Sequence, residues 1–283
     1  KGGVLGMDGV NPDDVARIEK NPELKVIRQP GMNIGYMAMN TEKPPLDNLK
    51  VRLAINHAVN KDALVKAFFA EGRIGMVAKN PIPPTLWSYN NKIEDHKYDK
   101  ELAKKLIKES GVDLSKTIKL WAMPIPRPYM PQPQKIAESI QADLKEIGLK
   151  TEIVSYDWGT YLDKASKGEH ELALLGWIGD NGDPDNFLYT LFSSRNTKKG
   201  SASNYAFYKS TEMDKYLDAA KKEMNKEKRT ELYMKAQEVF HNEVPWLPLF
   251  HATQVAAFRK DIMGYKLHPT GAKLFKNTYF DKK

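Results

Sequence analysis

The sequence predicts an α/β fold in which helices flank a mixed, mainly parallel sheet. Patterns typical of strands and helices alternate between residues 117 and 177, in the order strand, helix, strand, helix, strand. Such alternation favours parallel strands covered by helices. The 283 residues are 41% hydrophobic and 28% charged, which is an ordinary composition for a globular protein that buries a core.

The first part of the chain combines short helices with two strands. Asn-Pro at its start is typical of a helix N-terminus, so we expect a helix at 11–18, followed by strands at 24–28 and 33–39. Asp47 is predicted to cap the next helix, and a second short helix is predicted to follow Asn60.

Residues 72–93 are rich in proline, glycine and asparagine, which predicts a long surface loop. Asp99 and Gly111 are placed to cap the two ends of the helix that follows. Residues 134–147 form a clearly amphipathic pattern whose apolar positions share one helical face. These positions are Ile136, Ile140, Leu144 and Ile147.

The other predicted elements complete the alternation and then add a helical pair before two final strands. The strands are predicted at 117–123, 151–156, 171–177, 246–251 and 254–258, and the helices at 161–167, 212–223 and 226–243.

Two loops at strand ends are the candidate binding loops, because ligands of such sheets bind where strands end. In the first loop, residues 123–129, three prolines flank Arg127. Proline restricts its own backbone and that of the preceding residue, so Arg127 is held in a narrow range of positions. A guanidinium held in this way can bind a carboxylate with two hydrogen bonds. The alternative is an ordinary surface arginine in a turn.

The second candidate loop, residues 176–187, is rich in acidic side chains. Asp183 is expected to cap the helix that Pro184 opens, whereas Asp180 has no such structural role and could receive an ammonium group. Trp177, at the strand end, is expected to lie near the ligand. Calcium is a weaker alternative, because no bidentate glutamate follows at the spacing of calcium loops and proline interrupts the acidic run.

Several classes of function have no support in the sequence. The chain has no cysteine, which excludes thiol catalysis, cysteine metal sites and disulfides. It also contains no phosphate-binding glycine loop, dinucleotide fingerprint or serine elbow. The net charge of +8 comes from basic residues interleaved with acids, which favours a solvated surface over a nucleic-acid partner. We therefore expect no catalytic residues, no metal and no cofactor.

Residues 48–62 resemble the signature helix of family 5 of the extracellular solute-binding proteins, the peptide and nickel type. Residues 123–129 and 176–187 resemble the binding loops of its dipeptide-type members. The resemblance implies a type II periplasmic-binding-protein lobe. It also implies a receptor, not an enzyme, that captures dipeptides or short peptides between two lobes and delivers them to the membrane permease subunits of an ABC importer. Its location would be the periplasm or, in a Gram-positive cell, the extracellular side of the membrane, to which it would be anchored.

The resemblance also assigns roles to site residues. Arg127 would hold the C-terminal carboxylate of the peptide, and Asp180 would hold its N-terminal ammonium. Trp177 and Gly179 would line the edge that binds the peptide backbone, and Met123 and Asn181 complete the expected ligand-binding set.

Members of the family are about twice as long, so this chain resembles their C-terminal half. Residues 28–250 are then expected to form the peptide-binding lobe. Residues 1–27 and 251–283 would belong to the hinge and the other lobe, and the N-terminal half of the same protein would be a partner.

Two alternatives remain open at this point. The same scaffold could bind an oligopeptide, glutathione, haem or nickel, although the presence of both Arg127 and Asp180 favours short free peptides. From another class, a hydrolase could use the acidic loop around Asp180, but no paired base or nucleophile accompanies that residue.

Overall fold

A computed structural model describes residues 3–281 and shows a mixed α/β architecture with a sheet flanked by helices. The helices are α1 (Val15–Glu19), α2 (Leu49–Ala58), α3 (Lys61–Phe68), α4 (Lys100–Ser110), α5 (Pro133–Glu146), α6 (Trp158–Ser166), α7 (Asp185–Phe192), α8 (Thr211–Lys222) and α9 (Lys226–Glu243). The strands are β1 (Gly6–Asp8), β2 (Leu24–Pro30), β3 (Asn33–Met39), β4 (Gly75–Val77), β5 (Ile118–Trp121), β6 (Thr151–Val154), β7 (Leu172–Ile178), β8 (Trp246–Arg259), β9 (Ile262–Met263) and β10 (Tyr279–Phe280).

The main sheet is mixed, as predicted, but parallel pairing is limited to one side. Its strand order is β1-β8-β3-β7-β5-β6, and β2 and β4 also pair with β8. Strand β5 runs parallel to β6 and β7, whereas every pairing made by β3 and β8 is antiparallel. The expectation of a mainly parallel sheet therefore holds only for the alternating segment. Strands β3 and β8 come from distant parts of the chain and enter the sheet in the opposite direction.

Strand β8 is one continuous strand of 14 residues, not the two strands predicted at 246–251 and 254–258. Its first half pairs with β3 and β4, and its second half pairs with β1 and β2. The two terminal segments of the chain therefore meet on the same strand. The proposed lobe boundary at residue 250 lies inside β8, and the division into lobes stays a proposal.

The local cap signals of the sequence mostly match the helix ends. The side chains of Asn60 and Asp99 accept backbone N–H bonds at the starts of α3 and α4. Gly111 ends α4 with a φ of 65°, a conformation that glycine adopts without strain. The cap of α2 is Asn48 and not Asp47, because Asn48 Oδ1 accepts the Lys50 N–H at 2.9 Å.

The prediction that residues 72–93 form a surface loop is wrong about their exposure. The segment contains β4, and much of the remainder is buried, including Ile82 and Asn90. Helix α9 bonds to two backbone polar groups of this segment: the Asn90 N–H donates to Gln237 Oε1 at 2.9 Å, and Gln237 Nε2 donates to the Ser88 carbonyl at 2.8 Å. Local composition predicted a loop correctly but could not show the distant helix that covers it.

The core lies between the sheet and the helices. Helix α5 contributes the predicted apolar face, with Ile136, Ile140, Leu144 and Ile147 all buried. Across the described range 3–281, no helix combines the length and the apolar character needed to cross a membrane.

Candidate ligand-binding site

The proline-rich loop after β5 forms a closed turn that carries Arg127. The Arg127 N–H donates to the Met130 carbonyl at 3.0 Å, and the Met130 N–H donates back at 2.9 Å. Met123, at the start of this loop, is only 2% exposed and its side chain packs in the core. Met123 therefore anchors the start of the loop in the core, and Arg127 lies in a turn whose backbone is fixed by hydrogen bonds.

The Arg127 guanidinium lies over the ring of Trp158, with 5.4 Å between the Cζ atom and the ring centroid. Trp158 is the first residue of α6, so its ring is fixed by that helix. Such a contact orients the cation without neutralising its charge. Within residues 3–281, no carboxylate forms an ion pair with Arg127. The guanidinium therefore keeps its hydrogen-bonding capacity for an anion.

Two glycines let this loop lie directly on the sheet. Gly35 of β3 and Gly176 of β7 are cross-strand partners. A Cβ atom on Gly35 would lie 2.4 Å from the Tyr129 carbonyl oxygen, and one on Gly176 would lie 2.2 Å from the Tyr129 ring. Tyr129 thus fills the space that two side chains would otherwise take. Sequence reasoning missed both residues, although glycine within an apolar strand is a known sign of close approach.

The end of β7 is organised by Asn186, the second residue of α7. Its Oδ1 atom accepts the Trp177 indole N–H and the Asp180 backbone N–H, each at 3.0 Å. Its Nδ2 atom donates to Asp180 Oδ2, also at 3.0 Å. The structure therefore brings Trp177 and Asp180 together through a third residue that the sequence analysis did not select. Asp180 itself is exposed.

Gly179 packs closely against Met32 and Phe187. Its N–H donates to the Met32 carbonyl at 2.8 Å, and an added Cβ would lie 2.7 Å from the Phe187 ring. The exposed Asn181 accepts the Asp183 N–H at 2.9 Å. The N–H of Gly179 and the Oδ1 atom of Asn181 are thus engaged within the loop.

The prediction that Asp183 caps a helix opened by Pro184 is wrong, because α7 begins at Asp185 and its N-cap residue is Pro184, without a side-chain cap. Asp183 precedes the cap and bonds to the first residue of the helix. Its Oδ1 atom accepts the Asp185 N–H at 2.9 Å. Arg229 of α9 donates to both carboxylate oxygens of Asp183, at 2.6 and 2.9 Å. This two-pronged bond fixes α7, and with it Asn186, to a helix on the far side of the loop.

A cavity of about 560 Å³ opens beside the Arg127 turn. Its walls include Asn33 of β3, Ile178 of β7 and Thr253 of β8, together with residues 8–13 near the N-terminus. Asn33 is held rigidly, since its side chain exchanges two hydrogen bonds with the backbone of Ala252. Of the predicted site residues, Arg127 lines this cavity, whereas Met123, Trp177, Gly179, Asp180 and Asn181 lie outside its lining.

Calcium is the weaker alternative for the acidic loop. In the described part of the chain, no group of three or more histidine, aspartate or glutamate side chains is positioned to hold a metal ion.

An α/β lobe that presents an oriented arginine and an exposed aspartate on neighbouring strand-end loops has the features of a solute-binding receptor. The chain belongs to family 5 of the bacterial extracellular solute-binding proteins, since the model of that family's middle region matches residues 1–199.

Similar proteins include transport-associated peptide receptors. The dipeptide-binding protein of Escherichia coli K12 is 44% identical over 94% of this chain and 49% of its own length. Heme-binding protein A of Haemophilus influenzae is 41% identical over 96% of the chain and 49% of its own length. The ABC transporter-associated periplasmic binding protein DppA from Helicobacter pylori, solved with the peptide STSA, is 36% identical over 99% of this chain and 53% of its own, with a TM-score of 0.87. The chain thus spans about half the length of these relatives.

Proposed function

We propose that this chain is the ligand-capturing half of an ABC-importer receptor for dipeptides. The observation that carries the proposal is the Arg127 guanidinium, which lies over Trp158 beside a 560 Å³ cavity and has no ion-pair partner among residues 3–281. The exposed Asp180 carboxylate follows a strand that runs parallel to the one before Arg127. A free peptide has one negative and one positive terminus, and these two residues offer the opposite charges.

Capture of both termini would fix the length of the ligand while its side chains vary. In an extended dipeptide the charged ends lie roughly 6–7 Å apart, at about 3.3–3.6 Å per residue. With a hydrogen bond of about 2.8 Å at each end, we expect roughly 10–13 Å between the Asp180 carboxylate and the Arg127 guanidinium in the bound state.

We also propose that a further segment of the same protein, outside these 283 residues, supplies the opposite wall of the cleft. In this scheme residues 28–250 form the binding lobe, while residues 1–27 and 251–283 join the other lobe around β8. Two lobes connected in this way close on a ligand by hinge bending, and the closed form would dock on the membrane permease. The protein would act in the periplasm or, in a Gram-positive cell, anchored on the extracellular side of the membrane, and it would deliver its ligand chemically unchanged.

Calorimetric titration of the full-length protein with unmodified, C-terminally amidated and N-acetylated dipeptides tests the proposal. Arg127→Ala and Asp180→Ala should each weaken binding of the free dipeptide by about 2–5 kcal/mol, since a ligand charge is left unpaired. That equals roughly thirty-fold to a few thousand-fold in affinity. C-terminal amidation should weaken peptide binding to the wild type far more than it weakens binding to Arg127→Ala. N-acetylation should likewise weaken binding to the wild type far more than it weakens binding to Asp180→Ala.

Gly182→Ala serves as the control, because Gly182 is on the same loop and an added Cβ there meets no described atom within 4 Å. If each blocked peptide loses the same affinity in wild type and variant, these residues are not the anchors. If the protein binds haem and does not bind dipeptides, the haem alternative, to which the 41% identity to Heme-binding protein A points, replaces the dipeptide proposal.

A further inference from the structure

Asn186 bonds to both Trp177, near the end of β7, and Asp180, in the loop that follows it. One side of its amide accepts N–H bonds from the Trp177 indole and the Asp180 backbone, and the other side donates to Asp180 Oδ2. All three bonds measure 3.0 Å, within the normal range for N–H···O contacts.

The orientation of this amide follows from chemistry alone. Both groups that face Oδ1 are N–H donors, so they require the carbonyl oxygen, and the NH₂ group must then face the acceptor oxygen of Asp180. A flipped amide would place donor against donor on one side and oxygen against carboxylate on the other. Asn186 can therefore satisfy its partners in only one arrangement.

Asn186 also lies on helix α7, which is held in place independently of the loop that carries Asp180. The next residue, Phe187, is fully buried in the core, and Asp183 ties the start of α7 to Arg229 through two hydrogen bonds. An amide on this fixed helix can hold the exposed Asp180 in place, whereas a partner on the loop itself would move with it.

We propose that Asn186 is the positioning residue of the ammonium anchor. It fixes one oxygen of the Asp180 carboxylate and orients the Trp177 ring beside it before ligand arrives. The second oxygen, Asp180 Oδ1, accepts no hydrogen bond from residues 3–281 and is left for the peptide ammonium. The inference rests on the proposed function, and it predicts that part of the affinity comes from a residue that does not touch the ligand.

The test uses two variants and a matched control in the full-length protein. Asn186→Ala removes the amide, Asn186→Leu keeps similar volume without polar atoms, and Gly182→Ala alters the same loop at a position where an added Cβ meets no described atom within 4 Å. Affinity for free and N-acetylated dipeptide is measured by calorimetry. The Trp177 indole N–H resonance, assigned with Trp177→Phe, is followed by NMR without ligand.

Both Asn186 variants should bind free dipeptide about 10- to 100-fold more weakly, the effect of lost hydrogen bonds to a charged group, while Gly182→Ala changes affinity less than about threefold. The loss should shrink for the N-acetylated dipeptide and in the Asp180→Ala background, and the indole resonance should shift only in the Asn186 variants. Wild-type affinity in Asn186→Leu, or equal losses for free and acetylated dipeptide, would overturn the inference while leaving the proposed function intact. If the wild type binds no dipeptide, the proposed function fails and this inference fails with it. An indole resonance that does not shift in the Asn186 variants refutes the positioning role separately.

Discussion

Gly176→Ala is the sharpest test of how the Arg127 loop is supported. In the structure the missing side chain makes room for Tyr129, whose ring would lie 2.2 Å from the added Cβ. The same Cβ would lie 2.5 Å from the Ile34 carbonyl oxygen, a backbone atom fixed in the neighbouring strand. The substitution therefore pushes the loop and the strand apart at the same time.

The size of the effect follows from these distances. Ordinary contacts begin near 3.4 Å, so the Tyr129 ring must move by more than 1 Å. Forcing an extra methyl into a packed site typically costs about 1–3 kcal/mol, and at about 2–4 °C per kcal/mol the melting temperature should fall by roughly 2–12 °C. Because Tyr129 sits inside the turn closed by Arg127 and Met130, the guanidinium should shift as well, and dipeptide affinity should fall about tenfold or more.

Thermal unfolding and calorimetric binding check this expectation in the wild type, the single variants and one double variant. The control is Gly182→Ala, since an added Cβ at Gly182 meets no atom within 4 Å and the change should be within about 0.5 kcal/mol. In a Tyr129→Ala background, Gly176→Ala should cost less, because only the Ile34 contact remains. Unchanged melting and affinity in Gly176→Ala would show that the loop does not depend on this close approach.

Two further predictions concern the ion pair behind the site and the buried histidines. Arg229→Met should destabilise the fold by about 1–3 kcal/mol in urea denaturation, because it leaves the Asp183 carboxylate without its two-pronged partner. Burial lowers the pKa of His170 and of His251 to about 4, below the ordinary value of 6.5. The unfolded chain therefore binds more protons between those values, so stability is full above pH 6.5 and falls as the pH drops towards 4, by up to about 3 kcal/mol for each group. His170→Gln should flatten the decrease of unfolding free energy measured between pH 7 and 5, and an unchanged slope would contradict this reasoning.

Elements defined by local signals could be predicted from the sequence. Helix α9 has the bounds that its apolar pattern predicts, and the caps at Asp99 and Gly111 are where their chemistry places them. The failures share a long-range cause. The continuity of β8 depends on β1 and β2, strands more than 200 residues away, and the burial of residues 72–93 depends on α9. No local pattern contains this information.

The same distinction applies to the site. Arg127 and Asp180 are distinctive in sequence, because one lies among prolines and the other follows a strand without a capping role. Asn186 looks like an ordinary polar residue in the first turn of a helix, and the role proposed for it depends on three bonds that only the folded chain shows. Whether Met123, Gly179 and Asn181 touch a ligand stays a prediction.

The topology explains why strand-end reasoning found one side of the cavity and missed the other. Strands β5 and β7 are parallel neighbours, so the loops that follow them emerge at the same edge of the sheet. Strand β3 is antiparallel to β7, and its first residue, Asn33, pairs with Ile178 at the end of β7. An antiparallel neighbour thus contributes its amino end to the edge where parallel strands contribute their carboxyl ends. A search of such mixed sheets must therefore include the first residues of antiparallel strands, and here that rule leads to Asn33, a buried side chain in the wall of the Arg127 cavity.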